Sequence, residues 1–150
     1  MIKLSENEAK EKLKKDARFE DDATIKETLY LYGWKEDELI LGGSIVYSND
    51  LIIDTASIGM IDLTGAIIEG NLEILCTSIK YDLELTNATI AGELDLEGTS
   101  FGGDLYLCGI KVYGTINLNT ESGPRKIFVS PDMAELVHWS APTIPLVVVK

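Results

Sequence analysis

The chain has 150 residues, 45% of them hydrophobic, with thirteen bases, twenty-five acids and a net charge of −12, enough for one domain with a continuous core. A nucleic-acid binder needs a Lys/Arg patch to meet phosphates, and the acidic body of the chain lacks one, so direct nucleic-acid binding is disfavoured. No stretch reaches the about eighteen apolar residues of a membrane span and the polar start MIKLSENEAKEKLKK is no signal peptide, so the expectation is a cytoplasmic protein with no membrane partner.

The first predicted element is a helix. Ser5-Glu6-Asn7-Glu8 has the form of a capping box, in which each side chain satisfies an orphan backbone donor of the first turn. Ala9, Leu13 and Ala17 follow at four-residue spacing, a narrow apolar stripe between lysines that suits lying across the end of another structure. Residues 1–17 are therefore expected to be an N-terminal capping helix.

A repeat begins after this helix and is clearest from Ile61 to Lys126, which divides into six blocks of eleven: IDLTGAIIEGN, LEILCTSIKYD, LELTNATIAGE, LDLEGTSFGGD, LYLCGIKVYGT and INLNTESGPRK. Alternate blocks are the more alike, so the period is twenty-two, the signature of a solenoid whose repeats bury their apolar edges against one another. Each period holds four short segments with strand-like alternation, and Leu83/Leu85, Ala88/Ile90, Leu94/Leu96 and Thr99/Phe101 are the expected inward pairs. Glycines such as Gly70, Gly92, Gly98 and Gly114 recur at corners and would break helices of this length. Upstream, Asp22-Ala23-Thr24-Ile25 echoes Asn87-Ala88-Thr89-Ile90, and Leu29 to Trp34 echoes Leu105 to Ile110. Within 39–60, a block one residue long is compensated by a block one residue short. The fold class is all-β: a right-handed parallel β-helix solenoid over residues 18–126, about five four-sided coils of twenty-two residues, roughly 20–25 Å long at the strand spacing of a sheet.

Beyond Lys126 the repeat stops. Ser130-Pro131-Asp132 is a helix start with Ser as N-cap, Pro at the first helical position and an acid in the first turn. Met133, Ala134, Leu136, Val137 and Trp139 make that helix mostly apolar and predict its burial against the last coil, and residues 143–149 read as a strand. Residues 127–150 are thus expected to cover the open strand edges of the solenoid. The competing expectation is a homo-oligomer formed through the C-terminal strand 143–149.

The small residue placed two before a large apolar one, as in Ala88/Ile90 and Thr99/Phe101, resembles pentapeptide-repeat proteins. The Gly-rich apolar alternation is similar to bactofilins. Both resemblances imply a right-handed β-helix over about 110 residues. The first implies an acidic rod that imitates the charge of DNA toward topoisomerases, and the second implies end-to-end polymers of a cytoskeletal scaffold.

Charge carries the functional reading. Residues 18–126 hold nineteen acids and seven bases, a net of −12, and the stretch from Asp50 to Asp104 holds eleven acids against Lys80 alone. Stacking at the repeat period predicts two acidic edges, one with Asp62, Asp82, Glu84 and Asp104, the other with Glu73, Glu93, Asp95 and Glu97. Like charges about 4.8 Å apart repel by roughly 0.9 kcal/mol even in water. Such edges serve solubility, a divalent cation or a basic protein partner, and no calcium loop is present. Catalytic, cofactor and metal sites are each read as none: no phosphate loop, nucleophile elbow or metal-ligand spacing occurs. His138 beside Trp139 is expected to be structural, Tyr30, Tyr32 and Trp34 to pack into core and cap, and Cys76 and Cys108 to be unpaired. The expected function is a non-catalytic scaffold or protein-interaction module acting through acidic columns, with a β-helical enzyme or carbohydrate-binding protein as the alternative.

Overall fold

The computed structural model describes residues 2–19 and 22–150 and is predominantly β, with two short helices, α1 (Glu6–Asp16) and α2 (Pro131–Ser140). Glu20 and Asp21, counted among the acids above, lie outside the described residues. All strand pairing among the described residues is parallel, and hydrogen bonding groups the strands into three sheets. The first sheet stacks Ile2–Leu4, Ala23–Ile25, Val46–Tyr47, Ile67–Ile68, Thr89–Ile90 and Lys111–Val112. The third stacks Leu29–Tyr32, Leu51–Asp54, Leu72–Leu75, Leu94–Asp95 and Ile116–Asn117.

The second sheet is where the pairing departs from four separate sides. Lys35–Ile40 and Ser57–Asp62 run straight through a predicted corner, and Ser57–Asp62 then pairs with both Ser78–Ile79 and Leu83–Glu84, so two expected sides become one sheet. In the next turns the strand is interrupted around Asp82 and Gly103, where the Asp82 carboxylate takes the Asp104 N–H at 2.8 Å. The sheet continues through Ser100–Phe101 on one branch and through Leu105–Leu107, Ile127–Val129 and Leu146–Val148 on the other.

Registers carry the period into space. Ile61, Leu83, Leu105 and Ile127 are successive Cα partners, as are Ile67, Thr89 and Lys111. The shortened block appears as steps of twenty-one, Val46 to Ile67 and Leu51 to Leu72. One expected echo is out of phase: Leu29 to Tyr32 stacks on Leu51, Leu72 and Leu94 in the third sheet, whereas Leu105 belongs to the second. Blocks of eleven have the same apolar pattern, so half a period of slip leaves every inward residue inward.

All eight expected inward residues are buried, within one contiguous apolar cluster that also takes in Ala9, Leu13 and Val137 of the helices. Thr99 and Thr77 are inside it without orphaned hydroxyls. Thr99 Oγ1 donates to the Ile74 carbonyl at 2.6 Å and accepts from Thr77 N–H, while Thr77 Oγ1 accepts from Ala56 N–H. Corners repeat too. Asp22, Gly43, Gly65, Asn87 and Gly109 all have positive φ, at steps of twenty-one or twenty-two, which is why Gly and Asn recur there.

At the N-terminal end α1 forms with its capping box intact, Ser5 Oγ accepting from Glu8 N–H and Glu8 accepting from Ser5 N–H. It is preceded by a strand that was not expected, Ile2–Leu4, which pairs with Ala23–Ile25. The Glu6 carboxylate accepts the N–H of Tyr30 at 2.9 Å, so the helix quiets the first strand of the third sheet. At the other end α2 buries only Val137, with Met133 and Ala134 half-buried, and Leu136, His138 and Trp139 are exposed. A ten-residue helix lying on sheet edges offers them one stripe, so the predicted burial of Leu136 and Trp139 and the structural packing of His138 are not found. Ser130 holds the N-cap position, but its hydroxyl accepts from Gly109 N–H instead of capping its own helix.

Candidate functional site

The first acidic edge is built on the outward positions of the second sheet. Asp62 and Glu84 are Cα partners, and the column continues to Tyr106 and Phe128, whose rings stack at 4.6 Å. The Glu84 carboxyl is held above the ordinary carboxylate range by burial, then by Asp62 and Asp82. Its Oε1 and the Oδ1 of Asp104 are enclosed without a hydrogen-bond partner. Asp104 pairs with Arg125 at 3.6 Å through its other oxygen.

The second edge lies on the third sheet. Glu73 and Asp95 are Cα partners between Ile52 and Asn117, with Glu93 and Glu97 two residues to either side of Asp95. Burial raises the Glu73 carboxyl, and Asp50, Asp95, Glu93 and Asp54 raise it further. Asp50 and Asp54 thus belong to this edge and were missed, because the twenty-one-residue step hides their register. Tyr30 heads the column above Ile52, and Tyr32 stands above Asp54. The Tyr30 hydroxyl donates to Asp54 at 3.1 Å. Tyr32 is 64% exposed and Tyr30 39%, with ring centroids 6.1 Å apart. Only Trp34 is packed against the core, so the expected burial of the two tyrosines fails.

The eight candidate acids are not equivalent. Asp62 and Asp95 each accept a backbone N–H two residues on, from Thr64 and Glu97, and Asp82 accepts from Asp104 in the next turn. Their oxygens serve the backbone before any partner. Among the described residues the side chains of Glu73, Glu93 and Glu97 make no hydrogen bond or ion pair, and of the eight acids Asp104 alone is ion-paired. No group of three or more His, Cys, Asp or Glu is arranged to hold a metal ion among the described residues.

Grooves on the surface are shallow and open. One lies along Lys35, Ser57, Ser78 and Lys80, and another joins Lys14, Tyr32, Trp34 and Glu36. Cys76 is exposed at a positive-φ corner and Cys108 is half-buried, its thiol raised by burial and then by Glu84; both are free. No helix is long and apolar enough to cross a membrane among the described residues. No protein-family model, curated protein or solved structure matches the chain.

Proposed function

We propose that the chain is a right-handed parallel β-helix of about five four-sided coils, and that it works as a non-catalytic interaction module taking a basic protein on the face of Asp50, Asp54, Glu73, Glu93, Asp95 and Glu97. Support for the coil comes from registers that step by twenty-one or twenty-two residues in all three sheets as far as Ile127–Val129, the last step to Leu146–Val148 being nineteen, and for its hand from the right-handedness of parallel crossovers. The observation that carries the partner is the uncompensated charge around Glu73: its carboxyl is pushed up first by burial and then by four neighbouring acids, and no base pairs with Glu73, Glu93 or Glu97 among the described residues. A Lys- or Arg-rich surface laid across this face relieves that repulsion, so binding should be favourable and strongly salt-dependent.

Fluorescence anisotropy with an Arg/Lys-rich peptide tests it. Binding should weaken by roughly tenfold or more between low and physiological salt, and Glu73→Gln with Glu93→Gln and Asp95→Asn should abolish it. A triple variant that binds as well as the parent defeats the proposal. The exposed Tyr30 and Tyr32 pair on the same sheet favours one second reading, a carbohydrate stacked on aromatic rings, which a loss of oligosaccharide binding in Tyr32→Ala would support.

A further inference from the structure

The last strand of the second sheet, Leu146–Val148, has one used edge and one open edge. Pro145 C=O accepts from Ile127 N–H and Val149 N–H donates to Val129 C=O, each at 2.9 Å. Residues 145, 147 and 149 therefore face the inner neighbour. In a parallel ladder the alternate residues, Leu146 and Val148, send their N–H and C=O the other way. No strand lies beyond them among the described residues. On α2, which packs against this strand, Trp139 is 75% exposed and Leu136 nearly half exposed, as are Val148 at the end of the strand and Val149 just after it.

We propose that this end of the molecule is the two-fold interface of a homodimer, formed by antiparallel pairing of Leu146–Val148 with the same strand of a second copy about Val147. That register sets Leu146 opposite Val148 in both directions, and these are the two residues whose backbone groups are free, so four hydrogen bonds form and none of the open groups is left over. The edge is its own complement. Charge selects the same occupant. Residues 125–150 carry three bases and two acids, whereas 50–104 carry eleven acids and one base, so two copies meeting at this end keep their acidic faces apart. A basic partner finds no counter-charge here.

Size sets the strength. Trp139 offers about 150–200 Å² and the whole apolar patch a few hundred, against about 800 Å² from each partner in an interface of standard size. The dimer therefore belongs to the weak class, half formed at roughly 1–100 µM. Two-fold pairing consumes the edge, so assembly stops at two.

Sedimentation velocity of the full chain across roughly 1–500 µM tests this. The parent should pass from monomer to dimer. Val148→Pro deletes an outward N–H while the inner ladder, which uses Val147 and Val149, is kept, and Trp139→Ser removes the largest apolar contact. Each should be monomeric over the same range. A parent that stays monomeric assigns the apolar end to a different protein and overturns the homodimer, as do assemblies that grow beyond two or a dimer indifferent to both substitutions. Should Val148→Pro fail to fold, amide exchange on the parent decides. Leu146 and Val148 amides should gain protection by roughly tenfold on concentration, and equal exchange in dilute and concentrated samples overturns the proposal.

Discussion

Glu84 lies between Asp62 and Tyr106 in one outward column, with one carboxyl oxygen enclosed and unpartnered. Burial and two neighbouring acids disfavour its charge, so the native state holds its proton more tightly than the unfolded chain does. Native stability therefore falls as pH rises through the raised native pKa and recovers as pH drops below the unfolded value near 4.3. Glu84→Gln keeps the shape and removes the charge. It should stabilise the protein at pH 7 by up to about 1 kcal/mol, the scale of a solvent-screened charge interaction, and the gain should vanish below about pH 4. Thermal melts of parent and variant at the two pH values measure this. Identical melts at pH 7 would mean that Glu84 is fully hydrated and that the column imposes no strain on it.

Asp50, Asn71 and Asp82 show what the corners require of a side chain. Each accepts the N–H of the residue stacked on it in the next turn, from Asn71, Glu93 and Asp104, at 2.7–2.8 Å. Asp82→Asn retains an acceptor and sheds a charge from a crowded edge, so it should be neutral or stabilising, whereas Asp82→Ala strands a part-buried N–H and should cost about 1–2 kcal/mol. Chemical denaturation of the two variants separates acceptor from charge; equal stability would show that water replaces the carboxylate. This double use explains what the sequence could and could not reveal. Apolar alternation at a period of twenty-two marked Leu83, Ile90, Leu94 and Phe101 as inward because burial depends on pattern alone. The same pattern repeats at eleven, so the phase of Leu29–Tyr32 was invisible, and so was the register of Asp50 and Asp54 behind a twenty-one-residue step. A three-residue strand such as Ile2–Leu4 exists only because Ala23–Ile25 offers it an edge, which no local propensity reports. Composition likewise counts an Asp as a charge whether it faces a partner or serves a backbone amide.

Across the whole molecule the charge is one-sided: eleven acids and a single base lie between Asp50 and Asp104, and all of these acids but Glu69 gather on two edges. Folding brings these acids closer together than the unfolded chain keeps them, so self-repulsion opposes the native state even where each pair interacts weakly. Salt screens such charges over a length of about 10 Å at 0.1 M. The melting temperature at pH 7 should therefore climb by several degrees, about 2–4 °C per kcal/mol of relieved repulsion, between low ionic strength and about 0.5 M sodium chloride. Generic salting effects act on apolar surface and persist when the carboxylates are protonated. The decisive comparison is the same titration near pH 4, where the slope should largely disappear, and in Glu73→Gln with Asp95→Asn, where it should shrink at pH 7. A slope unchanged by protonation and by both substitutions would show that the stacked acids are already relieved by solvent. A basic partner would then gain nothing at this face by neutralising them.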